Sequence, residues 1–229
     1  MKKKLLIVGL IGSLAFAGHN VIEVRGGYDL SSSTNFDKDI YSEYDLDKFV
    51  ESGFHFGVEY RREILTNLQI GAGLEYRKSD MDQPGNRRVY SENIDYSYDS
   101  DSLDSIPIYL TARYNFRNFT GVTPYVKANL GYSINSGETS VNLNNIKTGK
   151  LVEEYNSKMK NKIYYGLGVG IEYKNFLVDL TYDITQSEAE EKIYNYEDKE
   201  SFSHDYNFDI QKLTLSFGYQ FTFYKKKII

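Results

Sequence analysis

Between residues 20 and 223 the chain returns repeatedly to one pattern, an apolar residue followed by a polar one. A period of two places successive side chains on opposite faces of an extended strand, and no amphipathic helix produces it. Eight segments carry the pattern: 22–30, 50–60, 68–76, 106–114, 124–132, 163–173, 176–184 and 213–223. In the sixth, Ile163, Tyr165, Leu167, Val169, Ile171 and Tyr173 share one face, and Tyr164, Gly166, Gly168, Gly170 and Glu172 the other. Over all eight, the apolar face holds no charge. The opposite face holds Glu23, Arg25, Asp29, Glu51, Glu59, Glu75, Arg113, Lys127, Glu172, Asp179 and Asp183.

Alternation fits two architectures. A soluble sandwich or ligand-binding barrel turns the apolar face inward, whereas a transmembrane barrel turns it to lipid. Volume decides between them. Eight strands enclose a lumen that side chains only just fill, and an apolar face rich in Leu, Ile, Phe and Tyr would overfill it. Glycine agrees. Gly27, Gly53, Gly57, Gly71, Gly73, Gly131, Gly166, Gly168, Gly170 and Gly218 lie on the charged face. On the outside of a soluble sheet they would only weaken strands. Inside a narrow barrel they make room for Glu, Arg, Lys and Tyr. The pattern therefore predicts an all-β fold, an eight-stranded antiparallel up-and-down transmembrane β-barrel.

The connections alternate long and short. The short ones lie near 61–67, 115–122 and 174–175, and the long ones at 31–48, 79–101, 135–160 and 186–208. Outer-membrane barrels have short periplasmic turns and longer external loops, so the reading is four long external loops, three short periplasmic turns and both termini periplasmic. Ile94, Tyr96 and Tyr98, and Leu151, Tyr155 and Met159, keep the alternation inside two long connections, as strands rising beyond lipid would. Between Ile210 and Leu213 the apolar phase slips by one, which predicts a β-bulge. Aromatic residues crowd the strand ends. Tyr60, Phe116, Phe119, Tyr173, Phe176, Phe221 and Phe223 lie at the short-turn side, and Tyr28, Tyr76, Tyr132 and Tyr182 toward the loops, as two interfacial girdles require.

The first residues read as an address. Met1-Lys2-Lys3-Lys4 is basic, Leu5 to Phe16 is mostly apolar, and Ala15-Phe16-Ala17 is a small-x-small cleavage site. This predicts a signal peptide over 1–17, cut after Ala17, and a barrel domain over 18–229. A membrane helix needs about 20 apolar residues, more than this run has. Loss of Lys2, Lys3 and Lys4 takes the net charge from −5 to −8. That balance argues against nucleic-acid binding. The absence of cysteine excludes disulfides, thiolate metal sites and thiol nucleophiles.

Ile106-Pro107-Ile108-Tyr109-Leu110 with Arg113-Tyr114, and Thr123-Pro124-Tyr125-Val126 with Leu130-Gly131-Tyr132, give the chain a likeness. It resembles the small outer-membrane β-barrel (opacity/porin-like) family of Gram-negative-type bacteria. In that family the last strand carries a signature for the barrel-assembly machinery: a polar residue, glycine two on, then two apolar or aromatic residues. Ser216, Gly218, Phe221 and Phe223 match it. Family members usually end at the aromatic, whereas this chain continues Tyr224 to Ile229. The resemblance implies outer-membrane residence, contact with membrane lipid and lipopolysaccharide, and no single activity.

Chemistry is sparse. His19 follows the cleavage site, His55 sits among Glu51 and Glu59 on the charged face, and His204 lies between Ser203 and Asp205. Adjacency in sequence does not make a triad, which needs spatial convergence. No spacing matches a metal, phosphate or cofactor motif, so no cofactor, metal or catalytic residue is expected and the chain is read as not an enzyme. The inward cluster Glu23, Arg25, Glu51, His55, Glu59, Glu75, Arg113, Lys127, Glu172 and Asp179 reads as a plug in which Arg25, Arg113 and Lys127 bridge carboxylates from neighbouring strands. An acidic, cation-preferring channel is the alternative, and a lipid A-modifying barrel enzyme a weaker one. The four long connections gather most of the acidity and many tyrosines, among them Tyr41, Tyr44, Tyr90, Tyr155, Tyr194, Tyr196 and Tyr206. Tyrosine offers contact area with a hydrogen-bonding tip, so a structural or surface-interaction role toward a host or neighbouring-cell ligand is expected.

Overall fold

The computed structural model describes residues 19–36, 50–81, 87–89, 93–100, 102–196 and 198–223. The signal-peptide residues Ala15 and Ala17 and the tail from Tyr224 lie outside them. Among the described residues twelve strands form: β1 (Asn20–Phe36), β2 (Val50–Leu65), β3 (Leu68–Met81), β4 (Arg87–Val89), β5 (Ile94–Ser100), β6 (Leu103–Asn115), β7 (Val122–Ser136), β8 (Glu138–Asn145), β9 (Leu151–Lys160), β10 (Lys162–Tyr173), β11 (Phe176–Asn195) and β12 (Glu200–Phe223). Eight of them, β1, β2, β3, β6, β7, β10, β11 and β12, pair antiparallel in that order, and β12 pairs back onto β1. These are the eight alternating segments. Closing the ring leaves no unpaired strand edge in the wall, which an apolar surrounding would penalise.

The pleat sorts the wall. Leu30, Phe56, Leu74, Leu110, Leu130, Leu167 and Phe217 point outward and are more than half exposed. Among the described residues no helix is long and apolar enough to cross a membrane, so strands make the crossing. Aromatic edges stack at the short-turn end: Tyr114 on Phe116, Phe176 on Tyr219, and Tyr219 on Phe221, with centroids 5.0–5.3 Å apart. The hairpins there are tight. Thr66–Asn67 joins β2 to β3 with Asn67 at φ 69°, a left-handed angle that Asn tolerates, and Lys174–Asn175 joins β10 to β11.

At the long-loop end much of the long connections is strand, as the alternation at 94–98 and 151–159 predicts for β5 and β9. The segment 186–208 is mostly strand, because β11 and β12 run 20 and 24 residues, β11 ending only at Asn195 and β12 beginning at Glu200. About 9–11 residues cross the bilayer, so roughly half of each strand stands beyond it. β9 pairs with the far half of β11, β8 with β9, β5 with β8 and β4 with β5. The connections 79–101 and 135–160 are thus largely hairpins of one sheet that rises from one side of the ring. Residues 37–49 lie outside the described residues.

The expected bulge is also corrected. β12 alternates without interruption from Phe208 through Ser216, and its register with β11 is continuous. The irregularity lies in β1, where Leu30 is the extra residue between Asp29 and Ser31. The phase slip in the sequence has another cause. Above the apolar band water lies outside, so apolar residues turn in. Leu103, Met159, Ala189, Phe208 and Ile210 form a buried cluster there, with Tyr206 packed on it. Polarity inverts along one unbroken strand.

Candidate functional site

The lumen is filled by charge. Arg25 on β1 reaches four carboxylates: Glu59 at 2.8 Å, Glu23 at 3.4 Å, Glu75 at 3.9 Å, and Asp179 in direct contact. Arg61 on β2 donates to Glu23 at 2.6 Å, to Gln69 at 3.1 Å, and to Glu59. Arg77 on β3 spans the ring to Asp183 on β11 at 3.0 Å and holds Glu75 at 2.8 Å. Lys127 on β7 meets Asp179 at 2.7 Å. Arg113 on β6 pairs with Glu172 on β10, whose other oxygen accepts from Gln220 at 2.6 Å. Lys212 on β12 meets Asp29 at 2.7 Å and bonds Ser79.

Tyrosines complete the layer. The Tyr109 hydroxyl lies 2.9 Å from Glu59 and 2.7 Å from Glu75. Tyr125 donates to Asp179 at 3.0 Å and Tyr164 to Asp183 at 2.7 Å. The Arg113 guanidinium stacks 3.6 Å over the Tyr125 ring. The rings of Tyr109 and Tyr125 occupy space that a glycine leaves open. A Cβ on Gly73 would sit 2.5 Å from the Tyr109 ring, and one on Gly170 would sit 2.4 Å from the Tyr125 ring. The glycines are the register partners of those tyrosines on the adjacent strands, so chain order itself brings ring and gap together.

The structure places Glu23, Arg25, His55, Glu59, Glu75, Arg113, Lys127 and Asp179 in the buried interior, with Glu172 at its short-turn rim. The side chain of Glu51 lies outside the described residues. Two expectations are corrected. The bridges made by Arg113 and Lys127 skip or cross strands instead of joining neighbours, because inward side chains converge on the axis. Among the described residues the lumen is also not predominantly acidic. Arg61, Arg77 and Lys212 point in as well, so six cations face the carboxylates of Glu23, Asp29, Glu59, Glu75, Glu172, Asp179 and Asp183. The apolar cluster of Phe208 and Ile210 covers this layer on the long-loop side, while Val21 and Leu177 are buried at the short-turn end.

His55 lies 3.2 Å from Ser216 Oγ inside the barrel. Ser216 and Gly218 face inward, whereas Phe221 and Phe223 face outward, about half exposed. His19 Nδ1 is 2.7 Å from Glu63. Strand alternation puts His204 on the face opposite Ser203 and Asp205, so these three do not converge. Among the described residues no group of His, Asp and Glu is placed to hold a metal ion.

Beyond the barrel the sheet is amphipathic. Leu143, Met159 and Ala189 are buried on the face that continues the inner wall, with Tyr155 and Ile193 partly buried there. The opposite face is ionic. Lys160 lies 2.9 Å from Glu188 and 3.0 Å from Asp205, and Lys162 lies 2.8 Å from Glu188 and 2.7 Å from Asn207. Hydrogen bonds from Lys162 and Lys160 hold the Glu188 carboxyl below its ordinary range.

A closed ring of eight antiparallel strands, apolar outside and charged within, defines a transmembrane β-barrel of the bacterial outer membrane. The chain belongs to the family described as outer membrane protein beta-barrel domain, whose model matches residues 5–221. An uncharacterised protein of Pasteurella multocida is 26% identical over 208 residues, covering 81% of this chain and 87% of its own length. Among solved structures, Ail of Yersinia pestis in complex with a heparin analogue is 17% identical, with 90% of this chain and all of that chain covered and a TM-score of 0.40. Neisserial surface protein A is 17% identical with 89% and 97% covered and a TM-score of 0.40. A major outer membrane protein of Thermus thermophilus is 11% identical with 90% and 100% covered and a TM-score of 0.48.

Proposed function

We propose that this protein is a closed outer-membrane anchor that holds a β-sheet platform outside the cell for contact with a host or neighbouring-cell partner. The observation that carries the reading is the run of β11 and β12 through the wall and on into the six-stranded sheet, with no break in register between them. A lumen packed with ion pairs favours an anchor over a channel. In this reading the long-loop end is external and both termini are periplasmic. The ionic face of the platform stands next to lipopolysaccharide. Ser216, Gly218, Phe221 and Phe223 serve recognition by the barrel-assembly machinery after a signal peptide ending at Ala17 is removed.

Two experiments test it. The chain has no cysteine, so a single Ser203→Cys can be labelled without background. A membrane-impermeant maleimide should label it on intact cells, and labelling only after lysis would reverse the orientation. Replacing 188–207 by a short turn should leave a heat-modifiable barrel but abolish adherence of cells that display it. Adherence at full strength without the hairpin would remove the platform from the function.

A further inference from the structure

The tip of the β11–β12 hairpin sets two exposed tyrosine rings beside a carboxylate. Tyr194 sits opposite Glu154 of β9, and the Tyr196 N–H extends the pairing to the Val152 carbonyl at 2.8 Å. The two rings stand 4.6 Å apart at 78°, and both are exposed. The Glu154 carboxylate beside them is fixed at both oxygens. One accepts from Asn156 Nδ2 at 2.9 Å and the other from the Tyr196 hydroxyl at 2.8 Å. Both donors are neutral. They hold the carboxyl below its ordinary range, so it is ionised at neutral pH. Among the described residues none of the chain's own cations pairs with Glu154 or lies over either ring. Glu188 on the same face differs, since it is held by Lys160 and Lys162.

We propose that Tyr194, Tyr196 and Glu154 form a receiving corner for the guanidinium of an arginine in a basic segment of a partner protein. The inference rests on the reading of the platform as an external contact surface. The chemistry is specific. Ring faces attract a cation electrostatically, and guanidinium stacks on them more readily than the strongly hydrated lysine ammonium does. A carboxylate held in one orientation presents its remaining lone pairs to the guanidinium fork, a charge-assisted pairing about twice as strong as a neutral hydrogen bond. The position also suits capture, since the acidic chain, at net −5, steers cations toward its surface before contact. A metal ion is a poor fit, since among the described residues no group of His, Asp and Glu gathers around Glu154 to hold one.

The test is titration of the folded barrel in nanodiscs with a dye-labelled peptide of alternating Arg and Gly, read by anisotropy. A Glu–Gly peptide is the control, and the gel-mobility shift of the folded form confirms each variant. Tyr194→Leu with Tyr196→Leu should weaken binding about 5- to 30-fold, the range expected for losing two ring contacts. The Phe pair, which keeps both rings, should stay within about 3-fold. Glu154→Gln should weaken binding well beyond Asp205→Asn, which removes the same charge from the same face. Unchanged binding by the Leu pair overturns the proposal. So does equal loss in the two charge variants, or wild-type binding no stronger than that of the control peptide. Those failures leave the platform reading standing, because that reading falls only if deleting 188–207 leaves adherence unchanged.

Discussion

Arg25→Ala is the sharpest perturbation of the lumen. Arg25 is 3% exposed, and its guanidinium faces Glu23, Glu59, Glu75 and Asp179. Removing one partner of a buried ion pair costs about 3–5 kcal/mol, because the other charge is left uncompensated. Here each orphaned carboxylate keeps another cation: Glu23 and Glu59 keep Arg61, Glu75 keeps Arg77, and Asp179 keeps Lys127 at 2.7 Å. The expected loss is therefore at the lower end, about 3 kcal/mol. Asp179→Asn in the Arg25→Ala background should recover part of it, since residues sharing one network are not additive. Urea unfolding in detergent micelles, followed by the gel-mobility shift of the folded form, measures both. A loss under about 1 kcal/mol, the value for solvated surface pairs, would refute the reasoning and mean that water screens the lumen.

Gly73→Ala should cost about 1–3 kcal/mol by overpacking, since its Cβ would meet the Tyr109 ring at 2.5 Å, and the same urea titration reads it. Phe208→Ala should destabilise the apolar cluster over the lumen by about 3–5 kcal/mol and expose the long-loop end to protease before the wall unfolds. The platform should loosen in acid. The Glu188 carboxyl is depressed in the folded state by its bonds to Lys162 and Lys160, so its contribution is complete above the ordinary carboxylate range. It is lost as pH falls through the lower folded value. Proteolysis of the 188–207 hairpin should therefore accelerate below about pH 4 and be flat from pH 6 to 8.

The eight wall strands were legible because lipid on one side and packed charge on the other enforce strict alternation. The legibility stopped where lipid stops. Tyr60, Tyr76 and Leu213 were the last outward apolar residues of their segments, so Arg61, Arg77 and Lys212, the next inward positions, fell outside the strands as read. Their signal was present as continued parity. The slip at Ile210 and Leu213 carried real information about the membrane boundary, because solvent reverses the face that must be apolar. β8 escaped because Asn, Ser and Glu dominate it, whereas the alternation of Leu151, Tyr155 and Met159 marks β9, and only its pairing, which depends on β11 being there to receive it, is not legible. The corner at Tyr194, Tyr196 and Glu154 is built across two strands, and only the register shows it.

Planar-bilayer recording of the refolded mature protein tests the closed-anchor account most directly. A lumen occupied by Arg25, Arg61, Arg77 and their carboxylates, and covered by Phe208 and Ile210, predicts a folded barrel that stays silent at neutral pH and physiological salt. Reproducible conductance steps that change in size with Arg77→Ala would contradict it and make the network the lining of a pore.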